Sequence, residues 1–151
     1  MTETILKMQK KVKRYLDKDR YDHTIGVMHT AGCLAMRYGA NLEQALTAGL
    51  LHDCAKCVPA DEKIKLCEKN HIEISDAEYK NPGLLHAKLG AFFARKKYGI
   101  ENEEILRSIE SHTTGRPNMS LLDKIIYIAD YIEPGRDVAP NLPEVRALAF
   151  V

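Results

Sequence analysis

Four of the six histidines, His23, His52, His86 and His112, lie among apolar or small residues rather than in the charged runs. His52 is followed directly by Asp53 in Leu50-Leu51-His52-Asp53-Cys54-Ala55-Lys56, and Asp130 interrupts the apolar stretch Ile125-Ile126-Tyr127-Ile128-Ala129-Asp130-Tyr131-Ile132. A carboxylate buried in such surroundings is costly unless a cation or a strong donor meets it. Imidazole nitrogens mixed with carboxylate oxygens suit first-row divalent ions such as iron, manganese, cobalt or zinc, whereas all-oxygen sets suit magnesium or calcium. His23, His52, Asp53 and Asp130 supply three or four contacts to one ion. His86 and His112 can hold a second, with Asp53 as the bridge. Two such ions about 3.5 to 4 Å apart activate water and clamp the oxygens of a phosphoryl group under in-line displacement.

The other signatures point elsewhere or nowhere. Cys54 and Cys57 form a C-x-x-C inside an expected helix, with no second close pair and no preceding strand, so packing cysteines are the simpler reading. Cys33 and Cys67 complete a set of four, expected to be reduced thiols. Neither GxGxxG nor GxxxxGK[ST] occurs.

These side chains must be positioned by helices. Ile5, Met8, Val12, Tyr15 and Leu16 form an apolar stripe over about residues 3 to 17. Tyr21 to Tyr38 reads as a second helix with Gly39 as its stop. Asn41 with Gln44 starts a third that runs through His52 and Asp53 until Pro59 ends it. A helix over Ala60 to Lys69 follows, then a polar loop from His71 to Asn81, then helical periodicity from Leu84 to Tyr98 with Gly99 as the stop. Asn102 caps a helix that carries His112, Ser120 with Asp123 opens Leu121 to Ile132, and Pro143 opens the last. No strand pattern competes, and the expected fold is all-helical.

The chain has 151 residues, 45% of them hydrophobic and 28% charged, which fits one domain with a real core. With 22 Lys and Arg against 21 Asp and Glu, the net charge of +1 gives no argument for nucleic acid or a membrane surface, so any anionic substrate needs local charge. The apolar runs are shorter than a membrane span, and Met1-Thr2-Glu3-Thr4 lacks the order of a signal peptide, so a cytoplasmic location is expected.

With these residues in place, the sequence resembles the HD-domain metal-dependent phosphohydrolases, whose signature is a histidine, a later His-Asp pair and a distant aspartate. It resembles the YqeK family more closely still, in order, through Arg20-Tyr21-Asp22-His23-Thr24-Ile25-Gly26-Val27, the Leu50 to Lys56 segment and Leu84-Leu85-His86-Ala87. His112-Thr113-Thr114-Gly115-Arg116-Pro117 and the Asp123 to Arg136 segment continue the match. The resemblance implies an HD-domain helical bundle, symmetric hydrolysis of diadenosine tetraphosphate to two ADP, an iron-containing site of one or two ions, and a homodimer. It also implies that His23, His52, Asp53 and Asp130 are the core ligands and that His86 and His112 are the extra histidines of a dinuclear type. Proteins of that kind continue for several helical turns beyond a segment like Pro143 to Phe150, so the expectation is a single HD domain over 1–151 with its C-terminal helix cut short.

Asp53 and Lys56 are the expected catalytic pair, with Asp53 holding the ions in register and Lys56 on the same side three residues on. Arg20, Lys56, Thr113, Arg116 and Arg136 are the candidates for substrate phosphate, since arginine offers a rigid fork to phosphate oxygens. Two readings compete: the same chemistry on another nucleotide, such as a guanosine alarmone or a deoxynucleotide, and a non-catalytic helical nucleotide sensor or adaptor.

Overall fold

A computed structural model describes all residues from Met1 to Val151. The chain forms α1 (Glu3–Val12), α2 (Lys18–Tyr38), α3 (Leu42–Leu51), α4 (Ala60–Lys69) and α5 (Asp76–Lys80), then α6 (His86–Tyr98), α7 (Glu103–Glu110), α8 (Leu121–Ile132) and α9 (Leu142–Leu148). A short 3₁₀ turn, Pro82–Leu85, leads into α6. There is no strand, as the periodicity requires.

Side-chain caps set most starts. Asn41 accepts from the Gln44 amide, Asn102 from those of Glu104 and Ile105, and Ser120 and Asp123 form a reciprocal capping box. Gly39 and Gly99 close α2 and α6 in the left-handed conformation that a Cβ disfavours. Asp17 accepts from the Arg20 amide and so starts α2 three residues earlier than Tyr21. α1 stops at Val12, short of Asp17.

Three elements depart from the sequence expectation in ways that matter for the site. α3 ends at Leu51, and His52 to Cys57 continue as tight turns in which the amides of Cys54, Lys56 and Val58 bond to carbonyls three residues back. α7 likewise ends at Glu110, placing His112 in the turn beyond it. The segment read as a polar loop contains α5, started by a Ser75/Glu78 capping box; five residues are too few for hydrophobic periodicity to reveal.

α2 is the spine. It packs against α3 and α8, while α7 bridges α3, α6 and α8. Val27 and Met28 of α2, Leu50 and Leu51 of α3, Ile109 of α7 and Ile126 of α8 meet in one fully buried core. A smaller cluster of Cys54, Cys67, Leu85, Leu89 and Phe93 joins α4 and α6 to the turn after α3. All four cysteines are free; Cys54 is buried, and burial first of all pushes its thiol up to about 12. The C-x-x-C is therefore a packing feature at Cys54 and an exposed residue at Cys57. No helix is long and apolar enough to cross a membrane.

The approach of α3 to α2 depends on Gly49. A Cβ there would lie 2.9 Å from Met28 Cα and 3.2 Å from Met28 N, which are backbone atoms that cannot swing aside. Because α3 carries His52 to the histidine on α2, this contact also sets the site. Gly49→Ala is expected to cost about 1–3 kcal/mol by overpacking. Denaturant unfolding checks it, and a midpoint equal to the wild type's would contradict so close an approach.

Candidate metal centre

Six side chains from five parts of the chain converge. His23 comes from the first turns of α2, His52 and Asp53 from the turn after α3, and His86 from the first residue of α6. His112 comes from the turn after α7 and Asp130 from near the end of α8. His52, Asp53, His86 and His112 are all at most 2% exposed.

Asp53 stands at the centre and its two oxygens face different neighbours. Oδ2 is 3.5 Å from His52 Nε2 and 3.9 Å from His23 Nε2. Asp130 Oδ1 completes that side, 3.0 Å from His23 Nε2 and 3.8 Å from His52 Nε2. Oδ1 of Asp53 is 3.3 Å from His86 Nε2 and 3.5 Å from His112 Nε2. Ligands about 2.0 to 2.2 Å from one divalent ion lie roughly 3 to 3.6 Å from one another. The donor atoms already have the spacing of two coordination shells that share one carboxylate. His23, His52 and Asp130 form one group able to hold an ion; His52, Asp53 and His112 form another.

The hydrogen bonds fix which nitrogen points inward. Nδ1 of His52 lies 2.7 Å from Gly49 O, that of His86 2.6 Å from Gly83 O, and that of His112 2.6 Å from Ile109 O. Only a protonated Nδ1 can donate to a carbonyl, so each neutral ring turns a lone pair inward at Nε2. Burial pushes His52 down and His86 down to about 4, which keeps both neutral at ordinary pH. When both rings are neutral, His86 Nε2 and His112 Nε2 stand 3.1 Å apart with lone pair facing lone pair. Such a contact is repulsive unless a positive centre lies beside it. His52 Nε2 and His23 Nε2 are buried without a hydrogen-bond partner. Orphaned inward nitrogens around two carboxylates fit a divalent cation centre and have no other evident use.

Both carboxylates are held ionised. Burial opposes this at Asp53, but the imidazoles of His52, His112 and His86, once they take up a proton at Nε2, hold it well below the usual range. Burial likewise opposes ionisation of Asp130, and the imidazole of His23 beside it, with the field of His52, outweighs it. At His23 burial favours the neutral ring, while Asp130 and Glu133 raise its pKa.

The phosphate candidates form a looser ring. Arg20 Nη1 is 2.9 Å from Asp53 Oδ2 with 30% of its side chain exposed. Arg116 is anchored by Nη2 on the fully buried Asp123 at 2.6 Å, leaving its buried Nε without a partner. Thr113 Oγ1 is 3.3 Å from His86 Nε2. Arg136 places Nη2 on Asp130 Oδ1 at 2.9 Å and Nε on the Asp130 carbonyl at 3.0 Å. Lys56, half-buried, lies in the turn with Asp53. A cavity of about 520 Å³ adjoins the His86 side and is lined by Thr113, Thr114, Arg116, Arg107, Lys88 and Glu78, among others.

Sequence reasoning passed over Glu133 and Asp123 as site residues. Glu133, 3% exposed, meets His23 Nδ1 at 3.0 Å. The signal was present, since a carboxylate closes an apolar helix just before Pro134-Gly135, but its partner lies 110 residues away.

Comparison with known proteins agrees with this geometry. The family model described as "HD domain" matches residues 20–135, which contain all six converging residues. The chain is 47% identical over 138 residues to the protein named "Bis(5'-nucleosyl)-tetraphosphatase, symmetrical" of Halalkalibacterium halodurans, covering 91% of this chain and 73% of that one. It is 44% identical to the protein of the same name from Bacillus subtilis, with the same coverage. It is also similar to a crystal structure of a "predicted HD superfamily hydrolase involved in NAD metabolism" from Clostridium acetobutylicum. That likeness has a TM-score of 0.91 at 47% identity, covering 95% of this chain and 76% of that one.

Proposed function

We propose, from the premise that this chain belongs to the HD-domain family, that it is a metal-dependent phosphohydrolase that cleaves diadenosine tetraphosphate symmetrically into two ADP. The observation that carries the chemistry is the division of labour at Asp53, one oxygen among His23, His52 and Asp130 and the other between His86 and His112. The substrate follows from the named activity of the relatives.

These six residues would hold divalent ions, which when bound would supply the Lewis acidity that activates water and neutralises charge on the phosphoryl oxygens. The protein's own part is placement and charge. Asp53 holds both halves of the centre in register; engaged in this way it is a poor base, so its role is structural to the chemistry. Arg116, set by Asp123, keeps spare donors at the cavity edge, and Arg20 keeps exposed donors beside Asp53. Lys56 and Thr113 complete the donors for a polyphosphate that the near-neutral chain attracts by local charge alone. Arg136 has two of its donor nitrogens committed to Asp130, so its first duty is to orient that ligand, with its remaining edge free for phosphate. Water attacks a phosphorus beside the central bridge of the tetraphosphate and the bond from that phosphorus to the bridging oxygen breaks, so the water oxygen ends on one ADP and the bridging oxygen leaves with the other.

The mixed nitrogen and oxygen set supports a transition metal, and iron is our reading of it, with manganese, cobalt and zinc compatible with the same donors. A homodimer, a cytoplasmic location and an HD domain over 1–151 belong to the same proposal.

The test is a nucleotide panel offered to iron-loaded protein in ¹⁸O water. Diadenosine tetraphosphate should yield ADP alone, with one label per two ADP. AMP with ATP contradicts symmetric cleavage, and turnover confined to a guanosine alarmone or a deoxynucleotide moves the activity to that substrate. Tight ion binding without turnover of any nucleotide favours a sensor.

A further inference from the structure

We propose that Glu133 is a positioning residue of the metal centre, holding His23 in the tautomer that presents Nε2 to an ion. The proposal rests on the metal-dependent reading above. Three of the four histidines orient themselves locally, each setting Nδ1 on the carbonyl three residues back: His52 and His112 in turns just past helix ends, His86 where the 3₁₀ turn passes into α6. His23 has no such option. It lies inside α2, where the carbonyls below it are engaged in the helix. Its Nδ1 instead reaches Glu133 Oε1 at 3.0 Å, across from the end of α8.

Glu133 is built into that place. Its Oε2 accepts from the Gly135 amide at 2.7 Å, and no Lys or Arg nitrogen pairs with the carboxylate. A buried carboxylate whose sole ionisable partner is one imidazole is expensive as a packing element. It becomes favourable when the far side of that imidazole faces a cation, since the carboxylate raises the ring's basicity and fixes its angle. Room for the carboxylate is specific as well: a Cβ on Gly26, three residues after His23 on α2, would lie 2.3 Å from Oε2, and one on Gly135 3.0 Å from both oxygens.

The test measures ion affinity rather than turnover. Wild type, Glu133→Ala, Glu133→Gln and Gly26→Ala are titrated with cobalt(II) in competition with a chelator, each ion-free variant first checked for folding by circular dichroism. Glu133→Ala should weaken one of the two ions by about 10- to 100-fold and leave the other within twofold. Glu133→Gln keeps an acceptor and should recover part of the loss, and Gly26→Ala should repeat the one-ion pattern by displacing an intact carboxylate. Two ions bound with wild-type affinity in Glu133→Ala, or both weakened equally, overturns the proposal. Should the variants fail to fold, ¹⁵N correlation spectra of the zinc-loaded wild type decide it: a proton on His23 Nδ1 supports the role, and a metallated Nδ1 overturns it. A wild-type chain that binds two ions but leaves diadenosine tetraphosphate intact sinks the substrate assignment alone, whereas one that binds none overturns both.

Discussion

Replacing Asp53 with alanine should release both ions and lower kcat/KM for diadenosine tetraphosphate by about a thousandfold or more, roughly 4 kcal/mol of transition-state stabilisation. His52 belongs to both groups but has one Nε2 lone pair to give, whereas Asp53 turns a separate oxygen to the histidines on each side. His86→Ala, by contrast, removes a nitrogen from the Oδ1 side alone and should release a single ion. Metal analysis of the purified variants, paired with single-turnover product assays, makes the comparison. Asp53→Ala protein that keeps two ions, or that turns over at near-wild-type rate, would falsify the bridged centre. Residual binding of one ion would mean that the two groups are independent sites.

Ion loading should also stabilise the fold markedly. Without a cation, two ionised carboxylates and a set of inward lone pairs share one small buried space, with His86 and His112 facing each other at 3.1 Å. Arg20 on Asp53 and Arg136 on Asp130 relieve only part of this. An ion that binds the folded chain and not the unfolded one adds about 4 kcal/mol at a free concentration a thousand times its Kd. For a chain of this size that corresponds to a rise in Tm of about 8–16 °C. The increment should shrink as pH falls, because each Nε2 must be free of a proton to ligate and acid returns that proton. Calorimetry of chelator-treated and metal-loaded protein measures it, and an unchanged Tm at saturating metal would show that the site is not coupled to folding.

Some of this was legible locally. Gly39, Gly99, Asn41, Asn102 and the Ser120/Asp123 box announce their helix ends because a cap is an interaction between residues two to four apart. The costly position of Asp53 and Asp130 in apolar segments was equally plain, since it needs only the energetics of burial. What failed did so for the converse reason. The early ends of α3 at Leu51 and α7 at Glu110 carry no Gly or Pro signal. They are shaped by what comes after: His52 and His112 fold back onto the carbonyls of Gly49 and Ile109 and face the other ligands. Arg136 looked like a phosphate ligand, yet two of its nitrogens clamp Asp130, a choice among anions that residue type cannot make.

The sequence by itself determined the helices, the donor types and their order along the chain, because backbone propensity, capping and the cost of buried charge act within a few residues. Tertiary structure decided which oxygen of Asp53 serves which histidines, and that Glu133 stands behind His23 from 110 residues away. It also decided that the Nε2 atoms of His52, His86 and His112, each turned by a local contact, meet one another in one place. Those outcomes are set by how helix ends meet in space, and contacts of that kind leave no mark in the spacing of residues along a chain.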